Sequence, residues 1–425
     1  MFNVSSDSIA LIDSSNDRKV TYRELSRSYF PNERSLIFLF NRNSVQDILY
    51  YVSAINAGHV ICLLDGEMNE SFKKQLITTY SPDYVVDKEI YPFNLKKIRH
   101  VLHPELSLLL ATSGTTGNPK FIRLSKDNVI SNARSIIEYL TIDSKERPIA
   151  SLPFHYSYGL SVLNSHLMAG ATVVLTKSSV AQKDFWEVVK KYECTSLAGV
   201  PYTYKVMERI GFLDMDLPFL RTLTQAGGRL EPSLIRKFHQ KKPRLFVMYG
   251  QTEATARMAF LPPEYLPEKA GAIGIPIPGG SLNLNELGEL IYQGPNVMMG
   301  YANNASDLSK GDELNGILNT GDLGYVDKDH LYYVTGRSKR ISKIYGLRIN
   351  LDDIEKELST YGTVAVTTTD LQIIVYIENG TLELSNLCME HLIKLYKLHP
   401  STFKCVSIEQ LPRMSSGKID YRSLA

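Results

Sequence analysis

Residues 106–120 read LSLLLA followed by TSGTTGNPK, an apolar run that leads into a loop of hydroxyl side chains and glycines. The run Leu106–Ala111 has the length and composition of a buried strand. Phe121–Leu124 predicts a second strand, and Ser125 is a suitable N-cap for a helix that extends through Tyr139. We therefore expect a strand, a loop, a second strand and a helix in succession.

The loop combines glycines and hydroxyls with a final lysine: Thr112, Ser113, Gly114, Thr115, Thr116, Gly117 and Lys120. Glycine permits close backbone approach and positive φ, so successive N–H groups can point at one anion. The hydroxyls add donors and Lys120 adds a positive charge, which favours a polyphosphate site. The spacing GxxGxxK differs from the GxxxxGK[ST] of a Walker loop. Taken alone, a loop of this composition is more often a solvated turn.

The string TSGTTGNPK resembles the phosphate loop of the adenylate-forming (AMP-binding) superfamily, which includes acyl- and aryl-CoA synthetases, peptide-synthetase adenylation domains and luciferases. The resemblance continues in family order with YGQTE at 249–253, TGD at 320–322, GRSK at 336–339 and PRMSSGK at 412–418. It is closest to the acyl/aryl-acid ligase branch. Strands that alternate with helical patterns over residues 1–105 independently favour parallel α/β layers.

The resemblance implies an α/β fold with two domains. A large multi-layer α/β N-terminal domain, residues 1–338, would bind ATP and the acid. A small α+β C-terminal domain, residues 339–425, would be a mobile lid, with Lys339 as its hinge. Near the chain end, Lys418 matches the family lysine that enters the active site during adenylate formation, although a lysine at such a place is usually only a solvated charge.

The YGQTE segment predicts a metal–phosphate site. A hydroxyl and a carboxylate follow a predicted strand, and Mg²⁺ takes one or two carboxylates together with phosphate oxygens. The resemblance implies that Tyr249 stacks on adenine, that Thr252 contacts phosphate and that Glu253 holds Mg²⁺. The other residues that it places at the nucleotide are Gly228, Gly250, Asp322 and Arg337, the last two at the ribose hydroxyls. Asp322 and Arg337 can also form a simple surface ion pair.

The acid pocket is implied by the segments LPFHYSYGL (152–160), AGVP (198–201), QAGGRL (225–230) and YGQTE. Its predicted residues are His155, Tyr158, Val200, Ala226, Gly227 and Gln251. The aromatic turn at 155–158 can equally be ordinary packing. No acidic residue lies between Leu152 and Leu163, which disfavours an α-amino acid because its buried ammonium would need a counter-charge.

Composition restricts the classes of partner. Lys plus Arg number 47 against 45 Asp plus Glu, and no basic stripe interleaved with aromatics argues for nucleic acid. The four cysteines form no CxxC pair, which argues against structural zinc and a disulfide framework and fits a reducing cytoplasm. No apolar run approaches the roughly 20 residues of a membrane span, and the N-terminus lacks a signal-peptide pattern. We expect a cytoplasmic protein.

The sequence thus predicts ATP- and Mg²⁺-dependent conversion of an aliphatic or aryl carboxylic acid to an acyl-adenylate with release of pyrophosphate. A thiol, of CoA or of an acyl carrier protein, would then take the acyl group. The substrate carboxylate is already ionised, so the first step needs charge neutralisation rather than a base, and Lys120, Thr252 and Lys418 are the predicted catalytic residues. Two alternatives remain: transfer to an amine or hydroxyl, and a nucleotide-binding homologue without turnover, against which the presence of Glu253 and Lys418 argues.

Overall fold

The computed structural model describes residues 6–92, 101–111, 120–242, 244–337, 340–344, 347–369, 372–414, 417–421 and 423–424. Contacts divide the chain into two compact units. The first comprises Met1–Leu282 and Tyr292–Leu318, and the second comprises Asn283–Ile291 and Asn319–Ala425. The boundary at residues 338/339 that the sequence predicts concerns the movement of a lid, and it stays a prediction.

From the N-terminus to residue 302 the helices and strands alternate along most of the chain. In order they are β1 (Ile9–Asp13), β2 (Arg18–Thr21), α1 (Tyr22–Leu25), β3 (Leu36–Asn41), α2 (Val45–Ala57), β4 (Val60–Asp65), α3 (Glu70–Tyr80), β5 (Tyr84–Asp87), β6 (Glu89–Pro92), β7 (Leu106–Ala111), β8 (Phe121–Ser125), α4 (Lys126–Leu140), β9 (Pro148–Ala150), α5 (Ser157–Met168), β10 (Val173–Leu175), α6 (Lys183–Lys191), β11 (Ser196–Gly199), α7 (Pro201–Arg209), β12 (Thr222–Gln225), α8 (Pro232–Lys241), β13 (Arg244–Tyr249), β14 (Ala259–Leu261), β15 (Ile275–Pro276), β16 (Ser281–Leu284), β17 (Glu289–Gln293) and β18 (Gly300–Ala302).

Two large mixed sheets organise the first unit. One has nine strands in the order β15-β14-β13-β12-β11-β9-β10-β1-β2, and the other has seven in the order β18-β8-β7-β4-β3-β5-β6. The central strands of each sheet are parallel, and antiparallel strands lie at the edges. Parallel strands require crossover connections, which the helices supply. The predicted large α/β region is confirmed.

Helices α2 and α5 pack between the two sheets. Side chains from both helices belong to one buried cluster that also contains residues of β3 and β4 from one sheet and of β1 and β10 from the other. The hydroxyl of Tyr51 on α2 donates a hydrogen bond of 3.0 Å to Asn164 Oδ1 on α5. This layer supports the first turn of α5, which carries predicted site residues.

The strand–loop–strand–helix unit lies where the sequence predicts it. Strand β7 begins and ends at the predicted residues, and α4 ends at Leu140, one residue beyond Tyr139. The Ser125 side chain accepts a hydrogen bond from the Asn128 N–H, and the Asn128 side chain accepts one from the Ser125 N–H. These reciprocal bonds satisfy two N–H groups that the helix leaves without partners.

The second unit is smaller and has an α+β composition. Beyond residue 316 the elements are β19 (Ile317–Val326), β20 (Tyr332–Arg337), β21 (Ile341–Ile344), β22 (Leu347–Asn350), α9 (Leu351–Leu358), β23 (Val364–Thr368), β24 (Ile373–Glu378), α10 (Leu382–Tyr396) and β25 (Phe403–Ile408). They form a four-stranded sheet in the order β16-β17-β19-β20, a β21-β22 hairpin and a β23-β24-β25 sheet. Helices α9 and α10 bury their apolar faces against the last of these.

Over the part of the chain that the structure describes, no helix is both long enough and apolar enough to cross a membrane.

Candidate active site

Lys120 is the described end of the predicted phosphate loop, and it contacts an aromatic ring from a distant segment. Its Nζ lies 3.7 Å from the centroid of the Tyr301 ring. Tyr301 stands on β18, where it pairs with Ile122 of β8, so the register of the two strands brings the ring beside the end of the loop. Residues 112–119, which hold the predicted Thr112, Ser113, Gly114, Thr115, Thr116 and Gly117, lie outside the described residues.

The same tyrosine links the loop to the YGQTE segment. The Tyr301 hydroxyl donates a hydrogen bond of 3.0 Å to Glu253 Oε1. Burial and the neighbouring Glu253 carboxylate raise the pKa of Tyr301, so the phenol keeps its proton and remains a donor. Lys120, Tyr301 and Glu253 therefore form one connected group. Tyr301 is not among the residues that the sequence predicts for the site, because its place in the family pattern is its only sequence signal.

Tight backbone contacts fix the YGQTE segment, which leaves strand β13 as a 3₁₀ turn. A side chain at Gly250 would place its Cβ 1.6 Å from the carbonyl oxygen of Ala256, so only glycine fits at that position. The Met298 N–H donates a 2.8 Å hydrogen bond to the Glu253 carbonyl, and the Asn296 amide donates one of 2.7 Å to the Ala254 carbonyl. The segment 296–301 thus holds both the backbone and the carboxylate of Glu253.

Thr252 meets the first turn of α5. Its Oγ1 lies 3.0 Å from the Oγ of Ser157, and either hydroxyl can donate. Ser157 is buried. A hydroxyl pair at a helix N-terminus provides donors beside a positive dipole end, which suits a phosphate or carboxylate oxygen. Ser157 was not among the predicted residues, because in the sequence it reads only as part of an aromatic turn.

Three of the segments predicted for the acid pocket converge. Gly227 has φ +82°, and a Cβ there would lie 2.5 Å from the Tyr156 hydroxyl and 3.2 Å from Val200 Cγ1. Tyr158, Val200 and Ala226 belong to one buried apolar cluster. Glycine at 227 therefore serves two purposes, since it adopts a positive φ and leaves room for Tyr156 and Val200. Gln251 precedes the 3₁₀ turn and is half-buried.

His155 has a carboxylate neighbour that the sequence did not reveal. Its Nε2 lies 3.7 Å from Oδ2 of Asp65, the last residue of β4. Burial lowers the pKa of His155, and the Asp65 charge opposes that shift. Although residues 152–163 include no acidic side chain, the fold therefore places the Asp65 carboxylate beside this turn. An α-amino acid substrate is therefore less strongly disfavoured than the sequence alone indicates.

The donors near Glu253 suit Mg²⁺ that is bound together with phosphate. Within the described ranges, no group of three or more His, Cys, Asp or Glu side chains is arranged to hold a metal ion. Mg²⁺ at phosphate sites uses one or two carboxylates and completes its shell with phosphate oxygens and water. A single carboxylate with an adjacent hydroxyl, as Glu253 and Thr252 provide, fits that requirement.

A family model described as AMP-binding enzyme matches residues 35–302, which is more than half of the 425-residue chain. The chain belongs to the AMP-binding enzyme family. This confirms the resemblance to the adenylate-forming superfamily that the motifs predicted.

Relatives of this AMP-binding enzyme include a CoA ligase and a luciferin monooxygenase. It is 28% identical over 355 residues to the oxalate–CoA ligase of Arabidopsis thaliana, which covers 76% of this chain and 68% of that protein. It is 26% identical over 366 residues to the luciferin 4-monooxygenase of Luciola mingrelica, covering 80% of this chain and 64% of that protein. The chain thus spans about two thirds of the length of these two relatives.

Among solved structures, the fold is similar to that of the o-succinylbenzoate CoA synthetase of Bacillus subtilis in complex with its acyl-adenylate intermediate. The TM-score is 0.77 at 23% identity, and 97% of this chain and 94% of that chain are covered. At this identity the likeness establishes the shared fold.

In the second unit of this AMP-binding enzyme, Asp322 and Arg337 face each other across β19 and β20. Arg337 Nε lies 3.0 Å from Asp322 Oδ1, and the Asp322 side chain is 4% exposed against 59% for Arg337. The two residues therefore form an ion pair with a buried carboxylate and an exposed guanidinium. Their contact with ribose hydroxyls stays a prediction.

The segment that carries Lys418 lies in the second unit as well. There the Met414 N–H donates a 2.8 Å hydrogen bond to the Lys418 carbonyl. Arg340 connects the predicted hinge region to this end of the chain: its guanidinium lies 4.2 Å from the centroid of the Tyr421 ring and pairs with Asp352 and Glu355 of α9. The predicted hinge itself, Lys339, lies outside the described residues.

Proposed function

We propose that this AMP-binding enzyme uses ATP and Mg²⁺ to convert a carboxylic acid to an acyl-adenylate with release of pyrophosphate. The acyl group is then transferred to a thiol, that of CoA or of a carrier protein's phosphopantetheine arm. One observation carries the proposal: Lys120, at the end of the phosphate loop, is linked through Tyr301 to the YGQTE carboxylate of Glu253. Family membership and the CoA ligases among the relatives support the choice of reaction.

The chemistry of the first step follows from charge. A carboxylic acid is ionised at neutral pH, so its oxygen attacks the α-phosphorus directly while the bond to the pyrophosphate oxygen breaks. Lys120 supplies a positive charge near the phosphates, and the hydroxyls of Thr252 and Ser157 supply donors. When bound on Glu253, Mg²⁺ would neutralise phosphate charge. Tyr301 holds the Glu253 carboxylate in place through its hydroxyl.

The acid binds beside the aromatic turn in this proposal. Tyr158, Val200 and Ala226 present apolar surface, and Gly227 leaves room for the Tyr156 hydroxyl beside them. Such a lining favours aliphatic and aryl acids. Lys418 would approach the reacting carboxylate during the first step, as residues 339–425 move about Lys339, and would leave before the thiol attacks.

The test is carboxylate-dependent release of pyrophosphate in the presence of ATP and Mg²⁺. A panel of fatty, aryl, hydroxy and amino acids should identify one class that supports release, and acyl-AMP should be detected by mass spectrometry. Glu253→Gln should reduce release by at least about 10- to 100-fold, because even the loss of a group that only orients a metal ligand has an effect of that size. The matched control is Glu264→Gln, a change at an exposed carboxylate of the same unit, which should leave release unchanged.

The acceptor is tested separately with preformed acyl-AMP. Consumption with CoA or a phosphopantetheinylated carrier establishes the thiol ligase, whereas consumption only with amines or alcohols establishes an amide or ester ligase. Absence of release with every acid, in a protein that binds ATP, would contradict adenylation and favour a binding protein without turnover.

A further inference from the structure

Arg257, which follows the YGQTE turn, is buried in the first unit with a relative exposure of 1%. Its Nε donates a 3.2 Å hydrogen bond to Ser161 Oγ on α5, and its Nη1 donates one of 2.9 Å to the Tyr139 hydroxyl on α4. Nη1 also lies 2.6 Å from Met248 Sδ. The guanidinium carbon is 4.8 Å from the centroid of the Tyr158 ring, one of the predicted pocket residues.

The charge of this guanidinium is not balanced by an acid. Among the described residues, no carboxylate forms an ion pair with Arg257, and Nη2 has no hydrogen-bond acceptor. By contrast Arg123, which is also fully buried, pairs with Glu313 and donates to several carbonyls. A buried cation without a counter-ion is costly, so a site of this kind is stabilised when an anion enters.

Arg257 lines a small cavity of about 20 Å³ between α4, α5 and the nine-stranded sheet. Thr222, Thr224, Ser196 and His166 also line it. The buried Ser196 Oγ has no hydrogen-bond partner in the structure. The cavity is thus a largely apolar space with hydroxyl groups and one cation without a carboxylate partner, and as it stands it has room for about one water-sized group.

The other ionisable groups of the cavity do not neutralise Arg257. Glu146 pairs with Arg221 at 3.1 Å and accepts a hydrogen bond from Thr195, so its charge is already engaged. Burial lowers the pKa of His166 to about 4, which leaves this side chain neutral at physiological pH. Arg257 is therefore the cation that an incoming anion would meet.

The cavity adjoins the proposed acid pocket. Thr224 lines it, and both the carbonyl and the hydroxyl of Thr224 lie 2.9 Å from the Tyr158 hydroxyl. Ala198, another lining residue, belongs to the same apolar cluster as Tyr158 and Val200. Tyr158 therefore contacts both the apolar cluster of the proposed acid pocket and the Arg257 guanidinium.

We infer that Arg257 binds a second anionic group of the acid substrate, so that the preferred substrates are dicarboxylic acids. One carboxylate is activated and the other pairs with Nη2 of Arg257. The inference rests on the proposed function, whose substrate class it narrows. A guanidinium can hold a carboxylate through two parallel hydrogen bonds. A monocarboxylic acid of the same length would place a methyl group there instead and would leave the cation unpaired. Discrimination against monocarboxylic acids follows directly.

The experiment compares acids that differ only in the distal group, octanedioate with octanoate and terephthalate with benzoate. Pyrophosphate release gives kcat/KM for each acid with the wild type, Arg257→Met, Arg257→Lys and the exposed-site control Arg209→Met. We expect the wild type and the control to prefer the diacid at least tenfold. Arg257→Met should lose that preference because kcat/KM falls for the diacid and stays unchanged for the monoacid. Arg257→Lys should retain part of the preference.

Calorimetric titration of the same acids separates this inference from the proposed function, because binding needs no turnover. Tighter binding of the diacid to the wild type but not to Arg257→Met supports the inference even if no pyrophosphate forms. Equal use and equal binding of monoacids and diacids by the wild type would overturn it, and this comparison holds even if the Arg257 variants fail to fold. An unchanged diacid preference in Arg257→Met would assign Arg257 to packing alone.

Discussion

The Nζ of Lys120 lies 3.7 Å from the centroid of the Tyr301 ring, and the hydroxyl of that ring donates a 3.0 Å hydrogen bond to Glu253. A single tyrosine therefore touches the cation of the phosphate loop with its face and the predicted metal ligand with its hydroxyl. The pairing of β18 with β8 sets both contacts. Substitutions at Tyr301 can separate the effect of the ring on Lys120 from the effect of the hydroxyl on Glu253.

Tyr301→Phe keeps the ring under Lys120 and removes the hydrogen bond to Glu253. We expect the free energy of unfolding to fall by about 1.5–3 kcal/mol, the usual net value of a hydrogen bond to a charged group. The Mg²⁺ concentration for half-maximal pyrophosphate release should rise, because the carboxylate loses the donor that orients it. Tyr265→Phe, at an exposed tyrosine of the same unit, is the control. An unchanged Mg²⁺ requirement in Tyr301→Phe would contradict the orienting role.

Lys418→Ala tests the assignment of the C-terminal lysine. We expect acyl-adenylate formation to slow sharply, because a positive charge at the attacking carboxylate is lost. Thioester formation from preformed acyl-AMP should be largely spared. Rapid-quench assays measure the two half-reactions separately, and Lys404→Ala at an exposed lysine of the same unit serves as the control. Equal loss of both half-reactions would remove Lys418 from a specific role in the first.

Arg340→Gln removes ion pairs of 2.5 Å to Asp352 and 2.6 Å to Glu355, whose side chains are 25% and 19% exposed. We expect the variant to lose about 3 kcal/mol of stability, the lower end of the range for breaking a buried pair. Urea unfolding measures the loss, and Lys328→Ala at an exposed lysine is the control.

The Arg340→Gln deficit should depend on pH. Burial raises the pKa of Glu355, and Arg340 opposes that rise. Without Arg340 the pKa of Glu355 in the folded protein should increase further. A carboxyl whose pKa is raised in the folded protein binds its proton more tightly there than in the unfolded chain. Proton binding therefore stabilises the folded state at low pH, and this contribution is lost as pH rises from the pKa of the unfolded chain through that of the folded protein. The deficit should therefore grow from pH 5 to pH 7, and a deficit independent of pH would argue against this account.

His166→Gln should reduce the sensitivity of the protein to acid. Burial lowers the pKa of His166 to about 4, below its usual 6.5, while a 2.8 Å contact with the Val162 carbonyl opposes the shift. The unfolded chain then binds the proton first, so stability is lost as pH falls from 6.5 towards 4. The expected loss through this group is about 2 kcal/mol at pH 5.

Urea unfolding at pH 7.5 and pH 5 checks the His166 prediction. The wild type and the exposed-site control His330→Gln should lose the same amount of stability between the two pH values, and His166→Gln should lose about 2 kcal/mol less. Equal losses in all three proteins would show that His166 does not carry the acid dependence.

The sequence by itself determined the local structure around the phosphate loop and the family. Strand β7, strand β8 and the Ser125 cap of α4 lie where the residues predicted them, because apolar periodicity and capping depend on neighbours along the chain. The order of the motifs sufficed to predict the adenylate-forming superfamily and the α/β fold.

Only the tertiary structure decided which side chains meet. The contacts of Tyr301 with Lys120, of Asp65 with His155 and of Ser157 with Thr252 join residues from separate strands and helices, and they depend on strand order and register. The unpaired charge of Arg257 is likewise visible only when every neighbour of its guanidinium is known. Local patterns specify which face of an element is buried, whereas the identity of the opposing group is set by packing between elements that are distant in the chain.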